Sequence, residues 1–355
     1  MITSLIFKPK YKSNINRALI KLDISSLEHN LDVLNQIKNK ECVIMDAVKA
    51  DAYGHGTKEL CPYLNRYGIK DFAVAGLDEA LELRRNGIIG DILIPGYVYP
   101  QDLYKVKIYD LKVSITSYEH ARILNDRKIG IKCHLQIDTM MKRLGIDYKE
   151  TEYIKEVFKL KYLKITGVYS HLCDVKDKDF TVKQLKSYDK VVDMLKINGY
   201  SFKTHIQAAE ALFRFPEYKY DYVRIGIGLY GYGDKSLKPV MSVRSRIIGI
   251  KMLKKGETLG YEQSFKAHKD MKAADVLIGY GDGISRVQDK PYALCKGNKC
   301  AVIGRICMDQ LFIDDEVIIP GVGIDIDTLS ENCNNIPNKT FTAFKRGITK
   351  KAVNY

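Results

Sequence analysis

The sequence predicts an α/β fold: an N-terminal (β/α)8 TIM-type barrel followed by a mainly-β C-terminal domain. Three observations lead there. Eight short β-runs are separated mostly by helix-period segments, and alternation of that kind favours a parallel sheet closed into a barrel. No G-x-G-x-x-G turn follows the first run, which counts against an open doubly wound sheet, the other solution to the same pattern. After about Pro239 the long helices stop, and strand-like runs between glycine-containing turns take over. At 355 residues the chain is too long for one ordinary core and suits two domains. The expected boundaries are 14–239 for the barrel and 240–355, with 1–13, for the β domain.

The elements follow in order. Leu27, Leu31, Leu34 and Ile37 repeat on one face of a helix, and the apolar run Cys42 to Val48 reads as the first buried strand. Thr57 is an expected cap for a helix carrying Leu60 and Leu64. A second strand is expected at Phe72–Ala75. The helix from about Leu77 should end before Gly87, a natural residue for a left-handed helix end. Further strands are expected at Ile92–Ile94, Val113–Ile115, Ile131–Ile137, Ile165–Ser170, Lys203–Gln207 and Tyr222–Ile225, with helices such as Ser117–Asp126 and Thr181–Ile197 between them. In the β domain the strand-like runs are Arg246–Met252, Val276–Tyr280 and Ala301–Ile306. The last forty residues, rich in Asn, Lys and Asp, carry no clear pattern, and there is no internal repeat or low-complexity tract.

Composition narrows the function classes. Apolar residues are 46% and charged residues 28%, the balance of a globular protein that folds in water. The net charge is +14, but Lys and Arg are spread along the chain; the densest basic stretch, Lys8 to Arg17, is short. With no zinc-finger spacing and no RNA-binding aromatic motif, a solvated basic surface is expected and no nucleic-acid partner. The eight cysteines form no C-x-x-C pair and have no histidine at zinc-ligand spacing, so no metal site is expected. Several, such as Cys42 and Cys133, sit in apolar runs and read as buried thiols of a reducing compartment. The apolar stretch of MITSLIFKPKYK is too short for a signal peptide, and no run approaches the roughly 20 apolar residues of a membrane span. A cytoplasmic location and no membrane partner are expected.

In a barrel, chemistry sits at the C-terminal ends of the strands. Lys49 directly follows the first strand, in AVKADAYGHG. A partly desolvated lysine there has a lowered pKa and can attack a carbonyl. His171 follows the sixth strand, and Arg224 ends the eighth, in DYVRIGIGLYG, just ahead of Gly226 and Gly228. Taken singly, the lysine reads as an exposed turn residue, the histidine as core and the arginine as a surface ion pair. Jointly, at one end of one barrel and with a glycine-rich turn at the usual phosphate position, they point to a phosphate-bearing carbonyl cofactor.

These segments resemble the alanine racemases, PLP enzymes of barrel type. AVKADAYGHG is similar to the family's PLP-lysine signature along its whole length. DTMMKRLG, GVYSHL, VRIGIGLYG, LGYEQSF, IGYGDG and GRICMDQ follow in the family order, so the resemblance spans roughly residues 20 to 315. It implies a homodimer whose active sites combine both subunits, with pyridoxal 5′-phosphate (PLP) bound covalently to Lys49. Lys49 and Tyr261 would be the two catalytic acid/bases on opposite faces, Tyr261 coming from the partner chain. Arg224 would hold the pyridine nitrogen, oriented by His171, and Tyr53 with the backbone near Gly226 and Ile227 would hold the phosphate. Arg143 and the backbone N–H of Met308 would meet the substrate carboxylate, and Tyr280 and Asp309 would line the entry.

Four departures accompany the resemblance. Gln136 stands where members often carry a carbamylated lysine that pairs with Arg143, a charge that a bound chloride would replace. Ala209 stands where a phosphate-binding serine is usual, and Met140 and Lys142 stand where glycines are usual. A phosphate-contacting tyrosine near the C-terminus has no clear counterpart. THIQ and YSHLC also resemble the racemase domains of vancomycin-resistance serine/alanine racemases, which carry a large membrane domain in addition. The function expected is interconversion of L- and D-alanine, supplying D-alanine for cell-wall peptidoglycan. The alternatives are a serine or broad-specificity racemase, a non-catalytic PLP-binding barrel, which the second domain argues against, and a PLP barrel decarboxylase.

Overall fold

The computed structural model describes residues 17–286, 292–295, 298–314, 323–325, 342–344 and 348–353. Most of the basic stretch Lys8 to Arg17, Cys333 and most of the last forty residues lie outside the described residues. Two compact units are present, Asp23–Met241 and a second built from Ser242–Lys351 with the N-terminal residues up to Leu22. These divisions fall at 22/23 and 241/242, where the sequence reading has 13/14 and 239/240.

The first unit is a parallel barrel. Its strands are β1 (Val43–Ala47), β2 (Asp71–Ala73), β3 (Asp91–Ile94), β4 (Lys112–Ile115), β5 (Ile131–Asp138), β6 (Leu163–Tyr169), β7 (Lys203–His205) and β8 (Tyr222–Ile225). Each pairs in parallel with the next, and β8 pairs with β1, with Val223 opposite Ile44 and Arg224 opposite Met45. The β7–β8 seam is the loosest, joined by the bridge Ala208–Arg224 and the bond from Arg224 N–H to Gln207 C=O. Met45, Ala73, Leu93 and Tyr222 pack together as part of the core. Parallel strands buried on both faces explain why the sequence shows continuous apolar runs here and no alternation.

The helices cover this barrel by burying one stripe each. Helix α1 (Ile24–Ile37) starts because the Asp23 carboxylate accepts the N–H groups of Ser25 and Ser26, and it buries Ile24, Leu27, Leu31 and Leu34. Each such side chain is worth about 1.5–3 kcal/mol when fully buried. Helix α2 (Thr57–Arg66) corrects an expectation: Thr57 is its first residue, Gly56 precedes it as the cap, and the capping oxygen belongs to Asp51. Helix α3 (Leu77–Arg85) ends as expected, with Gly87 in the left-handed region at φ 78°.

Among the described residues the second unit is a mainly antiparallel eight-stranded sheet whose long member is Met241–Leu253. Leu19–Asp23 and Thr349–Val353 lie at one end of the sheet order, and Met271–Val276, Leu311–Asp314 and Asn298–Ile303 at the other. The strand expected at Val276–Tyr280 lies earlier, at Met271–Val276, because Gly279 breaks the run and Tyr280–Asp282 forms a single 3-10 turn. The Asn298–Ile303 strand likewise starts and ends a few residues before the expected run.

One buried polar group runs against the packing. Asp46, on β1, is fully buried, and neither carboxylate oxygen has a hydrogen-bond partner among the described residues. Desolvation holds its pKa well above the usual 3.8. Below that value both folded and unfolded chains carry the proton. Above it the unfolded chain releases the proton and the folded chain retains it, so folding loses stability as pH rises through and beyond 3.8. Asp46→Asn should therefore raise the melting temperature at neutral pH, by a margin that shrinks on acidification. A margin independent of pH would mean that ionisation of Asp46 is not the cause.

Candidate active site

Lys49 sits two residues past the end of β1, followed by a backbone feature that organises the site. Ala50, Asp51, Ala52 and Tyr53 all have positive φ, between 52° and 57°, and so form a left-handed turn of four non-glycine residues. Each costs about 1–2 kcal/mol over the right-handed form. Side chains and glycines hold the turn in place. The Asp51 carboxylate accepts the Thr57 N–H at 2.8 Å and its hydroxyl at 3.1 Å. His55 bonds through Nδ1 to the carbonyls of Ala52 and Tyr53, so Nδ1 carries the proton. Gly54 and Gly56 take φ of 80° and 100°. The segment AVKADAYGHG is thus a complete mechanical part in which the Asp, His and both glycines support the turn that follows the lysine.

The turn carries Tyr53 back across the barrel mouth. Lys49 Nζ lies 5.9 Å from the Tyr53 ring centre. Past β8, a Cβ on Gly226 would meet the Tyr53 hydroxyl at 2.6 Å, and one on Gly228 would meet the Ala209 Cβ at 2.6 Å. Both glycines are required for this close approach. The structure therefore brings Lys49, Tyr53, Gly226, Ile227 and Ala209 to one end of the barrel.

Arg224 is buried there without a carboxylate. Nη1 donates to His205 Nδ1 at 2.7 Å, and Nη2 donates to the Ser170 carbonyl at 2.7 Å and to His171 Nδ1 at 3.1 Å. Since guanidinium only donates, Nδ1 of both histidines must accept, and each carries its proton on Nε2. His205 Nε2 then donates to His134 Nδ1 at 2.8 Å. Burial pushes His205 well below the usual histidine value, and takes His134 and His171 down to about 3, with Arg224 adding to the effect. All three histidines are neutral. Arg224 itself falls to about 10 through desolvation, and so stays charged at neutral pH. Its Nε makes no hydrogen bond among the described residues and is the donor left for a ligand. His134 needs space: it faces Gly167, where a Cβ would meet the ring at 2.6 Å.

Gln136 and Arg143 are not joined by a hydrogen bond among the described residues. Gln136 Oε1 accepts from the Tyr169 hydroxyl at 3.0 Å, and that hydroxyl also meets Ser114 Oγ at 2.7 Å. Arg143 is exposed on the loop after β5, where Met140 (φ 77°) and Lys142 (φ 55°) take glycine-like conformations. The Lys142 N–H donates to Asp138, and its ammonium pairs with Asp147. Gln184 closes the neighbouring loops, donating to the Thr139 carbonyl at 2.6 Å and accepting from the Cys173 N–H at 3.1 Å.

Electrostatically the mouth is cationic. Burial lowers the Lys49 pKa, and Arg143 and Arg224 lower it further against the opposing pull of Glu79. A lysine so placed is a better nucleophile at neutral pH than a surface lysine.

Tyr261, Tyr280, Met308 and Asp309 belong to the second unit. Tyr280 N–H donates to the Cys307 carbonyl and Gly281 N–H to that of Met308, so their two loops are zipped together. Tyr261 opens a 3-10 turn whose Glu262 pairs with Arg305 and whose Ser264 Oγ accepts the Arg305 N–H. Tyr261 and Met308 are 66% and 61% exposed, too open for side chains that serve a core.

Sequence reasoning missed His205, His134, Glu79 and Gln184. His205 was within reach, since it ends β7 as His171 follows β6. Glu79 looks like an ordinary acid in a helix first turn, and Gln184 like a solvated polar residue. His205→Leu should destabilise the protein by about 1.5–3 kcal/mol, because a buried guanidinium N–H loses its acceptor. His205→Gln should recover part of that in denaturant unfolding, and equal losses for both would refute the acceptor role.

Comparison with known proteins matches residues 22–234 to the alanine racemase N-terminal domain and residues 240–352 to the alanine racemase C-terminal domain. A serine/alanine racemase of Enterococcus gallinarum is 37% identical over 87% of the chain, which spans about half, 46%, of that relative's length. An alanine racemase of Carboxydothermus hydrogenoformans is 34% identical over 85% of the chain and 87% of its own. The solved alanine racemase of Clostridium difficile 630 superposes with a TM-score of 0.90 at 27% identity, over 95% of this chain and 96% of that one. With both domain models matched in order and the barrel mouth built as described, the chain belongs to the alanine racemase family.

Proposed function

We propose that this chain is a PLP-dependent amino-acid racemase that interconverts L- and D-alanine, supplying D-alanine for peptidoglycan, and that it works in the cytoplasm as a homodimer. The observation that carries the reading is the Lys49 amine, depressed in pKa, in a cationic barrel mouth beside the Tyr53–Gly226 cradle. No helix among the described residues is long and apolar enough to cross a membrane.

The residues present fit PLP. A cradle that a Cβ would fill suits a phosphate held by backbone and the Tyr53 hydroxyl, and Lys49 suits its aldehyde. When bound, PLP supplies an electron sink for the carbanion left when an α-proton departs. The rest is the work of side chains. Lys49 Nζ takes or gives the proton on one face and the Tyr261 hydroxyl on the other, so inversion needs no single group to cross the substrate plane. Arg224, a group that does not give up its proton at neutral pH, would hold the pyridine side of the cofactor as a hydrogen-bond donor only. Neutral His171 and His205 hold Arg224 without competing for the proton. Arg143 and the Met308 N–H receive the substrate carboxylate, and Tyr280 and Asp309 narrow the approach.

Tyr261, Met308 and Tyr280 are exposed on segments joined by backbone hydrogen bonds, which suits residues that complete the site of a second copy. In that case Lys49→Ala and Tyr261→Phe are each inactive, and mixing them with subunit exchange restores activity. Random pairing makes about half the dimers mixed, each with one intact site, so recovery should reach about a quarter of wild type. A mixture that stays dead after demonstrated exchange sinks the shared site. For the cofactor, borohydride should fix a pyridoxyl group on Lys49, and peptide mapping to another lysine would refute the assignment.

The similarity to a serine/alanine racemase favours serine as the second substrate. A chiral assay against all common amino acids decides between alanine alone, both, or a broader set. No turnover by PLP-loaded protein would favour a non-catalytic PLP-binding role.

A further inference from the structure

Two barrel-strand ends share one carboxylate. Glu79, half-buried in the first turn of α3, accepts the Ala75 N–H through Oε2 at 2.7 Å and the Ala50 N–H through Oε1 at 2.7 Å. The first bond is local and typical of an acid near a helix start. The second spans 29 residues and does nothing for α3. It reaches the amide next to Lys49, on the first residue of the left-handed turn. The groups that face Lys49 are the Tyr53 ring, Arg143, Arg224 and His171, and Glu79 is the carboxylate among them.

We propose that Glu79 is a positioning residue for the reaction: it pins the Ala50 amide, which fixes the direction in which Lys49 leaves the backbone, and it supplies the negative charge against which the Lys49 ammonium is set. This rests on Lys49 being the reactive amine. The chemistry needs a carboxylate. Two N–H donors require two acceptor oxygens, and a glutamine offers one oxygen and one NH2 group, so Glu79→Gln must give up one of the two bonds and all of the charge.

The test uses the full chain, stripped of any bound aldehyde with hydroxylamine, as wild type, Glu79→Gln and Asp78→Asn. The last removes a charge from the same helix turn without touching Lys49. Lysines are reductively 13C-methylated and Lys49 is followed by NMR against pH, while amide exchange is followed at Ala50. In Glu79→Gln the Lys49 midpoint should move down, because a charge favouring the ammonium is gone, and Ala50 exchange should speed up by roughly tenfold or more, the worth of a bond to a charged acceptor. Asp78→Asn should change neither. If Glu79→Gln lowers the melting temperature but leaves both readouts where Asp78→Asn leaves them, Glu79 is a helix cap only and the proposal falls. Should Glu79→Gln fail to fold, Glu79→Asp replaces it: faster Ala50 exchange with a near-normal Lys49 midpoint supports the clamp, and no change in either overturns it. Neither readout requires PLP, so failure here is distinct from failure of the borohydride assignment on Lys49.

Discussion

The left-handed turn from Ala50 to Tyr53 is the constraint on which the site depends. Four consecutive non-glycine residues in that region cost about 1–2 kcal/mol each, against a net stability of about 5–15 kcal/mol for a typical domain. Such a turn persists only where its surroundings over-determine it. Asp51 on α2, His55 on the turn carbonyls and Glu79 on the Ala50 amide supply that determination. The result is a lysine on a rigid mount rather than on a loop, and a tyrosine folded back far enough for its hydroxyl to touch Gly226.

A second constraint is electrostatic. The mouth gathers Lys49, Arg143 and Arg224 and keeps carboxylates scarce. Arg224 is solvated by neutral acceptors: two histidines and three backbone carbonyls. Gln136 continues the pattern, tied to Tyr169 and Ser114 in a chain of neutral groups. A carboxylate beside Arg224 would satisfy the guanidinium more strongly, but would also cancel the field that draws an anionic ligand. Neutral partners keep the arginine in place while leaving its charge directed into the site, which matches a ligand bearing a phosphate and a carboxylate.

Much of this was legible in the sequence. All eight barrel strands appear at their expected places, because buried parallel strands write themselves as short continuous apolar runs. Lys49, His171 and Arg224 stand out in the sequence as candidates because each follows or ends a strand. What was not legible depends on how the chain folds back on itself. Thr57 reads as a cap because nothing local reveals that Asp51 turns back to do the capping. Glu79 reads as a helix-start acid because its second bond crosses 29 residues. The expected strand at Val276–Tyr280 was misplaced because Gly279 looks like a strand residue until its loop is seen pressed against Cys307 and Asp309.

Backbone strain gathers in three segments of the chain. Among the described residues ten non-glycines have positive φ, and eight of them are Ala50, Asp51, Ala52, Tyr53, Met140, Lys142, Glu262 and Gln263. These fall in three segments, and the segments carry Lys49, Arg143 and Tyr261. Each is also tied by carboxylates: Glu79 and Asp51 for the first, Asp138 and Asp147 for the second, Glu262 with Arg305 for the third. Ordinary turns relieve such strain with glycine, as Gly68, Gly87 and Gly199 do elsewhere in this chain. Here side chains are retained at the strained positions and then braced, which trades stability for a fixed direction of the neighbouring residue.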